Sequence, residues 1–90
     1  FGTDHKPVVK FFGGGACTWL ISEMHPDTNR MYGLCDLGHG SAELGYVMLE
    51  DLEGLTFQFG LKVERDLWFE ADKTLNEYAD EARTAGRIAA

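Results

Sequence analysis

Thr18-Trp19-Leu20-Ile21-Ser22 is β-branched and aromatic over the length of a strand. Its alternation places Trp19 and Ile21 on one face and Thr18, Leu20 and Ser22 on the other. His25-Pro26-Asp27-Thr28-Asn29-Arg30 is turn chemistry, because Pro presets φ and Asp and Asn bond locally to the backbone. Met31 to Leu37 then predicts a second strand, hairpin-paired with the first. Gly38-His39-Gly40-Ser41-Ala42 predicts another turn, and Glu43 to Val47 a third strand. Upstream, Pro7 to Phe12 has the length and composition of a short strand, followed by a turn at Gly13-Gly14-Gly15.

The period changes at Met48. Leu49, Leu52 and Leu55 recur every three residues while Glu50, Asp51 and Glu53 take the other side. That pattern predicts a short helix over 48–54 whose first-turn carboxylates suit the helix dipole, with Gly54 at its end. Thr56 to Phe59 and Leu61 to Val63 read as an extended connection, and Asp66-Leu67-Trp68-Phe69 as a fourth strand. Thr74-Leu75-Asn76-Glu77 is a capping box, and Leu75, Tyr78, Ala79 and Ala82 form the apolar stripe of a last helix. The expectation is one α+β domain: a mainly antiparallel four-strand meander, with the short and C-terminal helices packed on one face. Residues 1–7 and 86–90 are expected to be loose, and Trp19, Leu20, Leu34, Leu44, Tyr46, Leu52, Leu67, Phe69, Leu75 and Tyr78 to supply the core.

Composition agrees with a single core. Ninety residues leave no room for a second domain, and 44% hydrophobic residues allow a compact interior without covalent staples. Cys17 and Cys35 do not make a disulfide framework and are expected to be reduced, buried thiols. With no signal-peptide pattern in Phe1-Gly2-Thr3-Asp4-His5-Lys6, a cytoplasmic protein is expected.

Charge adds more. The formal net charge is −7, which speaks against direct nucleic-acid binding and against an anionic membrane surface. Its distribution is uneven. No Lys or Arg occurs from Met31 to Leu61, although Asp36, Glu43, Glu50, Asp51 and Glu53 all lie there. Such a stretch points to a basic partner, met by Glu43, Glu50, Asp51 and Glu53.

Several blocks are recognisable in combination: Trp19-Leu20-Ile21-Ser22-Glu23, Gly33-Leu34-Cys35-Asp36-Leu37-Gly38, Glu43-Leu44-Gly45-Tyr46-Val47, Val63-Glu64-Arg65-Asp66 and Leu75-Asn76-Glu77-Tyr78-Ala79. With them the chain resembles, over roughly residues 7–84, a bacterial family of short proteins of unknown function, often carried on plasmids, phages and integrated elements. Members of that family commonly have Ser where this chain has Met48, so the short helix lacks its side-chain cap here. The resemblance implies no enzymatic residues. It implies a mobile-element setting, in which small proteins manage replication, transfer or escape from host defence.

Other chemistry is thinner. Cys35 and Asp36 with His39 form the one nucleophile-and-base grouping, the basis of an alternative reading as a small hydrolase or ligand-binding domain. Cys17, Cys35, His5, His25 and His39 lack the paired spacing of a zinc site, so no metal or cofactor is expected. Gly38, Gly40 and Gly45 do not fit a phosphate loop, whereas Gly33 and Gly45 inside strands mark bulges or close packing. Glu64, Arg65 and Asp66 are expected to form a structural ion network, and Glu23 and Asp36 to be solvated strand ends. The leading expectation is a small, acidic, non-enzymatic interaction protein of a mobile element. It would bind a basic or nucleic-acid-binding protein of host defence or processing and so inhibit it. An exposed Trp68, or a patch at Phe57 and Phe59, would instead favour a structural subunit, and homodimerisation through an open sheet edge is a further expectation.

Overall fold

The computed structural model describes residues 4–56 and 60–90. Strands β1 (Val9–Gly13), β2 (Cys17–His25), β3 (Arg30–Asp36) and β4 (Glu43–Met48) follow one another as antiparallel neighbours. Helix α1 (Leu49–Gly54) comes next, then the two-residue strand β5 (Glu64–Arg65) and helix α2 (Leu75–Ala85). The sheet order is β4-β3-β2-β1-β5, so β5 returns to the far edge and pairs with Phe11 and Phe12 of β1. The α+β class and the antiparallel meander are as expected.

Three features differ from expectation. The sheet has five strands, and Asp66 to Phe69 is a turn and not the fourth strand. There the Asp66 carboxylate accepts the Trp68 N–H at 3.0 Å, and the Asp66 carbonyl accepts the Phe69 N–H at 3.4 Å. A side chain that bonds its own backbone two residues on overrides the strand propensity of Leu67-Trp68-Phe69.

The two helices also cover opposite faces. Leu20 and Leu34 meet Leu75, Tyr78, Ala79 and Ala82 of α2 together with Ile88. Trp19, Ile21 and Met31 meet Leu52 of α1. Trp19, Leu20 and Ile21 are consecutive and all buried, and neighbouring strand residues point to opposite sides, so each face of the sheet needs its own cover. The expected core holds at Trp19, Leu20, Leu34, Leu52, Leu75 and Tyr78, and Phe69 packs partly against it. Leu44 and Tyr46 lie on the edge strand β4 and remain exposed, as does Leu67 on its turn.

The described segments near both ends, beginning at Asp4 and ending at Ala90, are tied down. The His5 carbonyl accepts the Leu75 N–H at 3.0 Å, and the Asp4 carboxylate accepts that of Asn76 at 3.0 Å, occupying free donors at the start of α2. The Thr74–Glu77 capping box is formed, and Gly86 closes the helix with a left-handed φ of 79°. Beyond it, where fraying was expected, Ile88 is buried and Lys10 donates to the Ala90 carbonyl at 2.6 Å.

Gly33 explains a break in register. β2 and β3 pair Ile21 with Gly33 and then Glu23 with Tyr32, leaving Ser22 as a bulge. A Cβ on Gly33 would lie 2.0 Å from the Leu20 carbonyl oxygen, so the bulged backbone fits only over glycine. Gly45, its partner on β4, has open space there. No helix among the described residues is long and apolar enough to cross a membrane.

Candidate interaction surface

Helix α1 is held by the β2–β3 turn rather than by its own cap. Met48 makes no side-chain cap bond. Asn29, in the left-handed region at φ 57°, presents its carbonyl to the Leu49 N–H at 3.0 Å. Its side-chain amide donates to Glu50 Oε1 at 2.8 Å. These bonds supply what the missing cap does not. Leu52 is buried against Trp19, Ile21 and Met31, which leaves Glu50, Asp51 and Glu53 exposed. Glu43 is exposed too, but it opens β4. By strand rise it stands about 16 Å from Met48, where α1 begins, and so at the other end of the strand.

Four carboxylates on or near α2 and the β5–α2 connection have cationic partners. Lys73 lies 3.4 Å from Glu81 and 3.7 Å from Asp72, and over the Tyr78 ring at 5.3 Å. The Tyr78 hydroxyl donates to Asp72 at 3.0 Å; this bond, with the nearby Lys73 charge, holds the Asp72 carboxyl below its ordinary value. Glu81 and Asp72 in turn raise Lys73, and burial raises Tyr78. Arg83 pairs with Asp80, and Lys10 with Asp66 at 3.9 Å. Among the described residues, none of Glu43, Glu50, Asp51 and Glu53 forms an ion pair. Arg30, the last cation before the base-free stretch, stacks over the Tyr46 ring at 4.4 Å on the α2 side of the sheet. α1 therefore carries carboxylates that the described part of the chain does not neutralise.

The Cys35, Asp36 and His39 grouping is split by the pleat. Cys35 is half-buried on the α1 side, where burial and then the Glu43 charge push its thiol up to about 11. It lines a shallow depression of about 300 Å³ with His39, Ser41 and Glu43. Asp36 points to the other side and is 1% exposed, the one buried charged residue described. Its Oδ1 accepts the Gly38 N–H and its Oδ2 the Ile88 N–H, each at 2.9 Å. The expectation of a solvated strand end is corrected here: Asp36 clasps the C-terminal segment to β3. It is also far along the hairpin from Glu23, since Asp36 pairs with Thr18 and Glu23 with Tyr32. The signal for it was present in Asp36-Leu37-Gly38, an Asx-turn pattern. Cys17 is a free thiol, raised by burial and by the Asp36 charge. No cluster of three or more His, Cys, Asp or Glu able to hold a metal occurs among the described residues.

The network expected among Glu64, Arg65 and Asp66 is replaced by another. The Asp66 carboxylate pairs with Lys10, and the Asp66 N–H donates to the Lys10 carbonyl at 2.9 Å. Glu64 and Arg65 are exposed and form no ion pair among the described residues. Beside them Trp68 is 90% exposed and, with Leu67 and Phe12, makes an apolar patch. The expected patch at Phe57 and Phe59 lies outside the described residues.

These features define a small α+β protein with an open sheet edge, an acidic helix on one face and an exposed aromatic turn. The chain belongs to the family described as "Protein of unknown function (DUF2958)", whose model matches residues 2–89. Searches of curated proteins and of solved structures found no match.

Proposed function

We propose that this chain is a non-enzymatic interaction protein whose acidic helix engages a basic protein. The observation that supports this most is the contrast in pairing. Asp80 and Glu81 on α2 have Arg and Lys partners and Glu77 caps its own helix, whereas Glu50, Asp51 and Glu53 form no ion pair among the described residues and stand on a helix anchored by Leu52 and Asn29. Fixed carboxylates cost little entropy to present, and their field speeds encounter with a cationic surface. The mobile-element setting implied by the resemblance narrows the partner class to nucleic-acid-binding proteins of host defence or processing. Such proteins hold a polymer with about one charge per 1.7 Å of duplex, which an acidic surface can imitate. Glu43 is a peripheral contributor.

The test is capture from host lysate by the native chain and by a Glu50→Lys, Asp51→Lys, Glu53→Lys variant, with salt-step elution and mass spectrometry. A basic, nucleic-acid-binding protein that is retained by the native chain alone and elutes as salt rises is the expected result. Identical retention by both proteins, or no retention, overturns the proposal. The exposed Leu67 and Trp68 favour a second reading as a subunit of a larger assembly, which sedimentation of native and Trp68→Ala proteins tests directly.

A further inference from the structure

On the α1 side the sheet is only partly covered. A short helix leaves a groove of about 320 Å³ between Leu49 and the β1–β2 pair, lined chiefly by Val9, Phe11, Ile21, Met24 and Met31. Volume and lining are those of a recognition pocket, apolar with few polar groups. Two of its walls are methionines, and Met24 is 49% exposed although unbranched and apolar. Such side chains re-pack around varied apolar anchors. The groove also borders the unneutralised helix, because Leu49 is the first residue of α1 and Glu53, four residues on, shares its side. Arg65 lines the opposite end.

We infer that this groove receives one face of a basic amphipathic helix from a partner protein. The partner's apolar residues, one helical turn apart, enter between Leu49 and Met24 while a Lys or Arg meets Glu53 on the groove side of α1. Arg65 sets the direction, with the partner's uncharged or acidic end lying toward β5. The charge component rests on the acidic-helix reading above; the apolar component does not.

The probe is a fluorescent Leu/Lys peptide of about 14 residues with Leu at helical spacing, compared with a scrambled peptide of identical composition. The native chain is expected to bind the amphipathic peptide about tenfold more tightly, the worth of burying one anchor side chain. Met24→Lys, at an exposed position whose fold is checked by circular dichroism, removes that preference. The methyl resonances of Met24 and Met31 shift on binding, while Met48, whose register partner is Arg30 on the α2 side, stays in place. Equal affinity for both peptides, or a shift at Met48 without one at Met24 and Met31, overturns the proposal. Neutralising Glu50, Asp51 and Glu53 to Gln, Asn and Gln is expected to weaken both peptides alike and leave the preference. If neutralisation changes nothing while the preference persists, the apolar groove stands and the acidic-helix reading fails.

Discussion

Replacing Asp36 with alanine removes both acceptors of the clasp that joins β3 to the chain end. The Ile88 N–H is buried and loses a charge-assisted bond of 2.9 Å; the Gly38 N–H is part-buried and can turn to water. A bond to a charged group contributes about 1.5–3 kcal/mol, and an abandoned buried donor costs a similar amount. With Gly38 discounted for its access to solvent, Asp36→Ala is expected to destabilise the fold by about 3–5 kcal/mol. A chain of this size has about 5–13 kcal/mol in all, so the loss is a large share. At a urea dependence of about 1–2 kcal/mol per molar, the unfolding midpoint falls by about 1.5 M or more. Asp36→Asn keeps one acceptor and turns a donor toward the other N–H, so about half the effect is expected. Hydrogen exchange locates the damage, since the Ile88 amide should lose protection first. A midpoint shift below about 0.5 M for Asp36→Ala, or unchanged protection at Ile88, would refute the clasp.

Gly33→Ala drives a methyl into the Leu20 carbonyl and should cost about 3 kcal/mol or prevent folding, whereas Gly45→Ala, with open space, should stay within about 1 kcal/mol; paired urea titrations decide. Thr74→Ala removes a formed capping box and should cost about 1 kcal/mol in the same assay. The Cys35 thiol is raised to about 11, so it should resist iodoacetamide near neutral pH in the folded protein. Because the folded value lies above the unfolded one, its contribution is fully present below about pH 9 and is lost as pH rises toward 11. The native chain should therefore lose stability relative to Cys35→Ala only across that window, and a difference that is constant from pH 7 to 11 would contradict the burial.

Local pattern read well where one force dominated. Alternation located β2, β3 and β4, the Thr74–Glu77 spacing located α2, and Leu49 and Leu52 located α1, whose missing cap followed only from the family resemblance. The rest depended on competition or topology. Leu67-Trp68-Phe69 has strand propensity, yet the Asp66 carboxylate turns the backbone first. Leu44 and Tyr46 are apolar and regularly spaced, but a strand's place at the sheet edge is not written in its own residues. The three consecutive buried residues Trp19, Leu20 and Ile21 did carry the sign of a sheet covered on both faces. Asp36 escaped because an acid in a strand is ordinarily solvated, and its partner at Ile88 lies 52 residues away. Of the candidate surface, the acidic run was legible from charge alone. Its separation from Glu43 and the groove beside it were not, since both follow from how α1 folds back on the sheet.

In the proposed complex, α1 presents its carboxylates to a protein surface that otherwise holds nucleic acid. Its most direct test is competition: the captured basic protein is loaded with a labelled duplex, and release is followed by anisotropy as the native chain is added at low and then raised salt. Release by the native chain, weakened by salt and absent with the Glu50→Lys, Asp51→Lys, Glu53→Lys variant, is the predicted result. Undiminished release by that variant, or a duplex that stays bound while the chain also binds, would contradict it.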